Sequence, residues 1–477
     1  MIMHKFGGTS LGDAQRFSNA ADIVAEHHLR TKSLERPGSV VVVSAMSQVT
    51  NQLIAGSRAA AEGKASLYRQ VKAGLLERHL AVVESLLSRN AERLEMSGFI
   101  EDRLHELERL YRSLAVLGEL TARGSDAVAS FGEQLSSGIL AAVLRQRGLR
   151  SQALSAAELI VTDDRFGAAS PLLDLTRQRL QERVKPLLER DIIPVITGYI
   201  GATESGIPTT LGRGGSDYSA AIIGAGLEAD EVWIWSDVDG ILTADPNIVP
   251  QARTLAELSY AEAAELAYYG ADVLHPKAIG PVIDGGIPLR ILNSFHPQHP
   301  GTLIVKTPSP GRRALPAIIS SSGLSLVVLG RDDGWTLGLA ARALQRLSEG
   351  GLEVPMFSQS LAEHRLNLVV REQDQAHCLK VLHNEFGSHS DSSLGVKEKV
   401  ATISVVGVPG WNEVGAVSHA FAALGKRGAR VIAVTQAATE NSISFCIPEE
   451  QMEDTVRFLH RELGLENSTK NLKDGAL

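Results

Sequence analysis

Cysteine is almost missing from this chain. Two thiols in 477 residues, Cys378 and Cys446, leave neither a disulfide framework nor a zinc cluster, and they fit a reducing cytoplasm. No stretch approaches the roughly 20 apolar residues of a membrane helix, and no signal-peptide core opens the sequence, so no membrane partner is expected. Charge of one sign is lacking as well. Forty-seven basic against 55 acidic side chains give a net −8, with no basic patch for nucleic acid and no acidic tail. His296 and His299 stand three apart, but prolines follow both and no further ligand is near, so no metal site is expected.

What remains is ordinary for a globular protein, 44% hydrophobic and 21% charged, at a length that asks for two or three domains. From residue 1 to about 306, runs such as SVVVVSAM (39–46), IIPVITGYIG (192–201), EVWIWSD (231–237) and IPLRILN (287–293) show little alternation. That suits strands buried on both faces, and helical patterns separate them: the βαβ rhythm of a parallel sheet whose sites gather at the carboxyl ends of strands. Residues 60–123 read as two or three amphipathic helices forming a solvated flank packed on the domain. Residues 307–316, rich in Pro, Gly and Arg, read as a linker.

Beyond the linker the chain repeats at an offset of 77 residues: EGGLEVPMFSQS (349–360) matches KRGARVIAVTQA (426–437), and CLKVLHNEF (378–386) matches TVRFLHREL (455–463). Two βαββαβ modules are expected, over 317–395 and 396–477, serving binding or assembly rather than chemistry.

Two glycine-rich turns carry the chemical signal. In KFGGTS (5–10), Gly7 and Gly8 expose backbone amides, Thr9 and Ser10 are good helix caps, and Lys5 adds a cation, which together make an anion site. In TLGRGGSDYSAA (210–221), Arg213 is shaped to grip a carboxylate or phosphate, Ser216 is the expected cap, and Asp217 in the first turn could receive an ammonium. Further candidates are Ser44 and Thr50 after a strand, Glu133 at a helix start, and the acidic strand end SDVDGILTADP (236–246). Each stretch alone also reads as a plain turn or surface group, KFGGTS more readily than the others.

Taken in order, KFGGTS, SAMSQVTNQL, SFGEQLSS, TLGRGGSDYSAA, SDVDGILTADP, YYGADVLHPKA and GTLIV resemble the aspartate kinases of the amino acid kinase superfamily. The resemblance covers residues 2 to about 306, and the duplicated tail resembles the tandem ACT domains of that family. It implies an amino acid kinase-like αβα sandwich with a mainly parallel sheet, followed by two ferredoxin-like ACT modules. It also implies a homodimer or homotetramer that passes the γ-phosphate of ATP, carried with Mg²⁺, to the β-carboxylate of L-aspartate. The product would enter the lysine, threonine and methionine pathways, or ectoine synthesis.

By the same resemblance, Lys5, Gly7 and Gly8 hold the phosphates. Arg213 takes the α-carboxylate of aspartate, Glu133 and Asp217 face its ammonium, and Ser44, Thr50 and Ser216 position it. Ser236, Asp237 and the turn through Leu242 and Asp245 line the nucleotide. Gln436 and Asn441 are the candidates for an amino-acid effector site. Many relatives carry lysine, tyrosine and arginine where Asp272, Leu242 and Asn247 stand here, so Lys277 is expected to replace the missing cation at the nucleotide. The rivals are a glutamate or N-acetylglutamate kinase, which lacks the ACT pair, and a non-catalytic amino-acid sensor.

Overall fold

The computed structural model describes residues 1–33, 38–88, 90–269, 274–309, 316–331, 336–360, 364–387, 392–406, 415–436 and 442–466. Two compact units emerge. One comprises Met1–Ile241, Ala256–Tyr260 and Asp272–Ser309, the other Leu242–Leu255, Ala261–Ala271 and Pro310–Leu477.

The first unit is built on strands β1 (Ile2–Phe6), β2 (Ser39–Val43), β3 (Ser151–Leu154), β4 (Val161–Thr162), β5 (Ile193–Thr197), β6 (Ile200–Thr203), β7 (Pro208–Thr210), β8 (Glu231–Ser236), β9 (Glu257–Ser259), β10 (Leu289–Asn293) and β11 (Thr302–Val305). Eight of them form one sheet in the order β3-β5-β2-β1-β8-β10-β11-β9, while β4, β6 and β7 form a small second sheet. From β3 to β10 every pairing is parallel. Phe6 lies level with Val43 and Trp235, and Val43 with Thr197, so four neighbouring strands end together. The polyvaline strand β2 is buried along its whole length, as a strand covered on both faces must be.

The stretch 192–201, expected as one strand, is broken. Chain direction changes at Tyr199, which adopts φ 69°, and β6 joins the other sheet. The helices Ala65–Leu86 and Ala91–Leu117 form the expected flank, and they pack into the domain's main core. Leu75, Ile100, Leu104, Leu107 and Tyr111 are fully buried in the main core, and the Tyr111 hydroxyl donates to the Leu53 carbonyl at 3.0 Å. One helical run, Ala122–Gln146, corrects another expectation. It is long and apolar enough by composition to cross a membrane, yet 89% of its apolar window is buried inside the fold.

The second unit holds β12 (Ala317–Arg331), β13 (Met356–Ser360), β14 (Arg365–Arg371), β15 (Ser392–Val406), β16 (Ala433–Gln436) and β17 (Ser442–Pro448), in the order β13-β14-β12-β15-β17-β16. The repeat is visible in β13 and β16, and in β14 and β17, each pair starting 77 residues apart. The modules are not strung one after the other, however. β12 and β15 pair antiparallel over their length, Ala317 opposite Val406 and Arg331 opposite Ser392. The first half of β12 therefore supplies the fourth strand of the second module, and β15 runs unbroken through the expected boundary at 395. Two ferredoxin-like halves share two long strands.

Candidate active site

A cavity of about 560 Å³ opens where β1, β2, β5 and β8 end, and both glycine-rich turns line it. This is the crevice at the carboxyl edge of a parallel sheet, where strand order leaves room for a ligand. Lys5, one residue short of the end of β1, is buried, and its Nζ lies 2.5 Å from Asp217 Oδ1. Asp217, expected opposite a substrate ammonium, is thus paired with the cation expected to hold phosphate.

The turn after β1 differs in detail from its sequence reading. Gly7 gives its N–H to the Trp235 carbonyl at 3.3 Å, so an amide for phosphate has to come from Gly8 onward. Gly8 is required by a close approach: a Cβ there would stand 3.0 Å from the Ala45 carbonyl, and its own carbonyl accepts the Ser47 N–H at 3.1 Å. Thr9 and Ser10 do not cap the helix. They form a short 3-10 turn, Ser10 Oγ contacts Ser294 Oγ at 2.8 Å, and Asp13 accepts the Arg16 N–H at the true helix start.

Opposite, Arg213 sits between Gly212 and Gly214 on the rim of the same cavity. Gly214 caps the helix Gly215–Gly226 at φ 69°, and a Cβ there would fall 2.1 Å from the His275 ring, so no other residue fits. Ser216, the expected cap, lies instead in the first turn, where its side chain faces Gly198. Both Ser216 and Asp217 line the cavity, as do Ser44, Thr50, Ser236 and Asp237.

Glu133 lies in the first turn of the helix Phe131–Gln146 and is 3% exposed. Burial pushes its carboxyl from the usual 4.5 up to about 8, against opposing hydrogen bonds from the backbone amides of Ala45 and of Glu133 itself. Its Oε2 has no partner among the described residues. A buried carboxylate with an open acceptor facing a cavity is a cation receptor.

Three residues expected at the nucleotide stand outside the lining, and Gln436, expected at an effector site, lies in the second unit. Leu242 and Asp245 belong to the second unit and do not line the cavity; Asp245 instead closes a local turn, accepting the Asn247 N–H at 2.8 Å. Lys277 is exposed, with Nζ 3.5 Å from the Leu211 carbonyl, and is not in the lining. Gln436 is exposed at the end of the edge strand β16. Asn441 and Asp272 lie outside the described residues. Sequence reasoning missed Tyr199, Gln48 and Asn51, all in the lining. Tyr199 and Gln48 both take a left-handed backbone, a feature that no composition pattern announces for residues other than glycine.

A model of the amino acid kinase family matches residues 1–293, and an ACT domain model matches residues 328–386 and 403–463. Aspartokinase 1, chloroplastic, of Arabidopsis thaliana is 33% identical over 476 residues, covering 96% of this chain and 79% of that protein. Among solved structures, E. coli aspartokinase III in complex with aspartate and ADP is similar with a TM-score of 0.80 and 28% identity, over 97% of this chain and 100% of that one. The same enzyme with lysine and aspartate gives 0.78 and 28%, over 97% and 99%. The chain belongs to the amino acid kinase family, and within it to the aspartokinases.

Proposed function

We propose that this cavity performs the phosphoryl transfer of an aspartokinase, with the triphosphate of ATP at the Lys5 end and L-aspartate between Arg213 and Glu133. One observation carries the reading: the phosphate-type cation and the carboxylate-type guanidinium line a single cavity. The substrate's side-chain carboxylate is ionised at neutral pH, with an ordinary pKa of about 4, so no general base is needed. Its oxygen forms a bond to the γ-phosphorus as the bond to the β–γ bridging oxygen breaks, and ADP leaves with that electron pair. Alignment and charge neutralisation are what the protein must add.

In this scheme Lys5 and the amides from Gly8 onward hold the phosphates. When the triphosphate draws Lys5 away, the Asp217 carboxylate turns to the substrate's ammonium beside Glu133, which ties nucleotide and amino-acid binding together. Mg²⁺ enters as part of the nucleotide. No group of three or more metal-ligating side chains occurs among the described residues, so phosphate oxygens would supply most of its ligands.

An ADP-release assay with aspartate and with glutamate tests the reading. Turnover with aspartate is expected, and Lys5→Ala should lower kcat by roughly two to three orders of magnitude. Turnover with neither substrate, or an unchanged Lys5→Ala enzyme, overturns it. The second unit is proposed to bind an amino-acid effector, on the support of its ACT match and of the lysine complex of E. coli aspartokinase III. Inhibition by lysine, threonine or ectoine checks that part, and light scattering the proposed dimer or tetramer.

A further inference from the structure

Asp126 lies outside the cavity lining, yet it is only 3% exposed. It stands on the helix Ala122–Ala129, and three donors converge on it. Oδ2 accepts the N–H of Gly167 at 2.8 Å and the N–H of Thr210 at 2.9 Å, while Oδ1 accepts the Thr210 hydroxyl at 2.7 Å. Such charge-assisted bonds are short and strong, and a saturated buried carboxylate of this kind holds its donors in place.

Those donors come from two segments that run side by side at the rim. Thr210 ends β7, three residues before Arg213, and its carbonyl accepts the Ala169 N–H at 2.9 Å. The Gly167 carbonyl lies 3.2 Å from where a Cβ on Gly212 would be. Farther along, the Leu211 N–H donates to the Tyr199 carbonyl and the Gly215 N–H to the Gly212 carbonyl, each at 2.9 Å. From Thr210 to Gly215 the backbone is tied down on both sides of Arg213, and the knot at its base is Asp126.

We propose that Asp126 is a positioning residue for substrate binding: by stapling the 163–170 segment to the end of β7, it fixes the backbone from which Arg213 reaches the α-carboxylate of the amino acid. The inference rests on the reading of the cavity as the aspartate site. Displacing such a group by about an ångström can cost on the order of a hundredfold in productive binding.

The test uses the full chain. Asp126→Asn keeps the size but replaces the carboxylate by a neutral amide, weakening both backbone N–H bonds and turning its N–H₂ toward the Thr210 hydroxyl. Its KM for aspartate is expected to rise about tenfold, with the KM for ATP within about twofold of wild type. Thr210→Val removes only the hydroxyl arm, and carries the test if Asp126→Asn does not fold; about threefold is expected. The decisive readout is a cycle with Arg213→Ala. If Asp126 acts through that side chain, Asp126→Asn adds nothing further to the aspartate KM of the Arg213→Ala enzyme. A lower melting temperature with both KM values unchanged, or effects that multiply across the cycle, overturns the proposal while the cavity reading stands. An Arg213→Ala enzyme with wild-type KM for aspartate overturns the reading and this proposal with it.

Discussion

Two carboxylates seven residues apart on one buried helical run behave in opposite ways. Asp126 and Glu133 are each 3% exposed. Asp126 receives three hydrogen bonds and faces a wall of backbone. Glu133 has an oxygen with no partner among the described residues, faces the cavity, and has its pKa pushed up to about 8. The difference teaches how one helical run serves two ends. A saturated acid contributes to the fold, because the donors around it are built in. An unsaturated acid costs the fold something and is offset only when a cation arrives.

The widest split should come from neutralising the unsaturated member. Glu133→Gln keeps the shape but cannot ionise when the ammonium arrives, so the melting temperature should stay level or rise, while kcat/KM for aspartate falls on the order of a hundredfold. Steady-state kinetics beside a thermal melt would check both signs. An activity loss that merely followed a loss of stability would erase the contrast with Asp126.

A smaller effect is expected at the turn that Asp126 supports. Gly214→Ala forces a side chain onto a left-handed backbone and into the His275 ring. A destabilisation of about 1–3 kcal/mol and a roughly tenfold rise in the aspartate KM are expected, read by denaturant unfolding and the ADP-release assay. If the aspartate KM stayed at wild type in the folded variant, the Arg213 turn would not need its glycine for binding.

The two acids also differ in how legible they are. Glu133 is readable because it opens an apolar helix within a motif, FGEQLSS, that resembles one family. Asp126, in GSDAVAS, has no such context, since its meaning lies in Gly167 and Thr210, which only the folded chain brings near. The same division runs through the fold. SVVVV and EVWIWS announce β2 and β8, because strands covered on both faces are continuous apolar runs. The break at Tyr199 is hidden inside an equally apolar run, and only pairing partners tell β5 from β6. The 77-residue repeat is plain in the sequence. The sharing of β12 and β15 between modules is not, because strand pairing is a long-range choice that local pattern does not encode.

The finest test of the comparison is proton linkage. Glu133 has its pKa raised from 4.5 to about 8 in the folded chain, so between those values the native state binds more protons than the unfolded one. Stability from this group is therefore present at low pH and is lost as pH rises toward 8; the difference in melting temperature between wild type and Glu133→Gln should shift in that direction. Substrate binding should run the other way. An ammonium needs the carboxylate form, so aspartate binding must expel a proton at neutral pH, and the aspartate KM should fall about fivefold between pH 7 and pH 8. Glu133→Gln should show no such slope, and Asp126→Asn, which leaves Glu133 in place, should keep it. Calorimetry in buffers of different ionisation enthalpy would count the released proton directly. A wild-type enzyme whose aspartate affinity is flat across that interval would mean that Glu133 is already ionised before the substrate arrives, and the contrast between the two acids would then rest on hydrogen bonding alone.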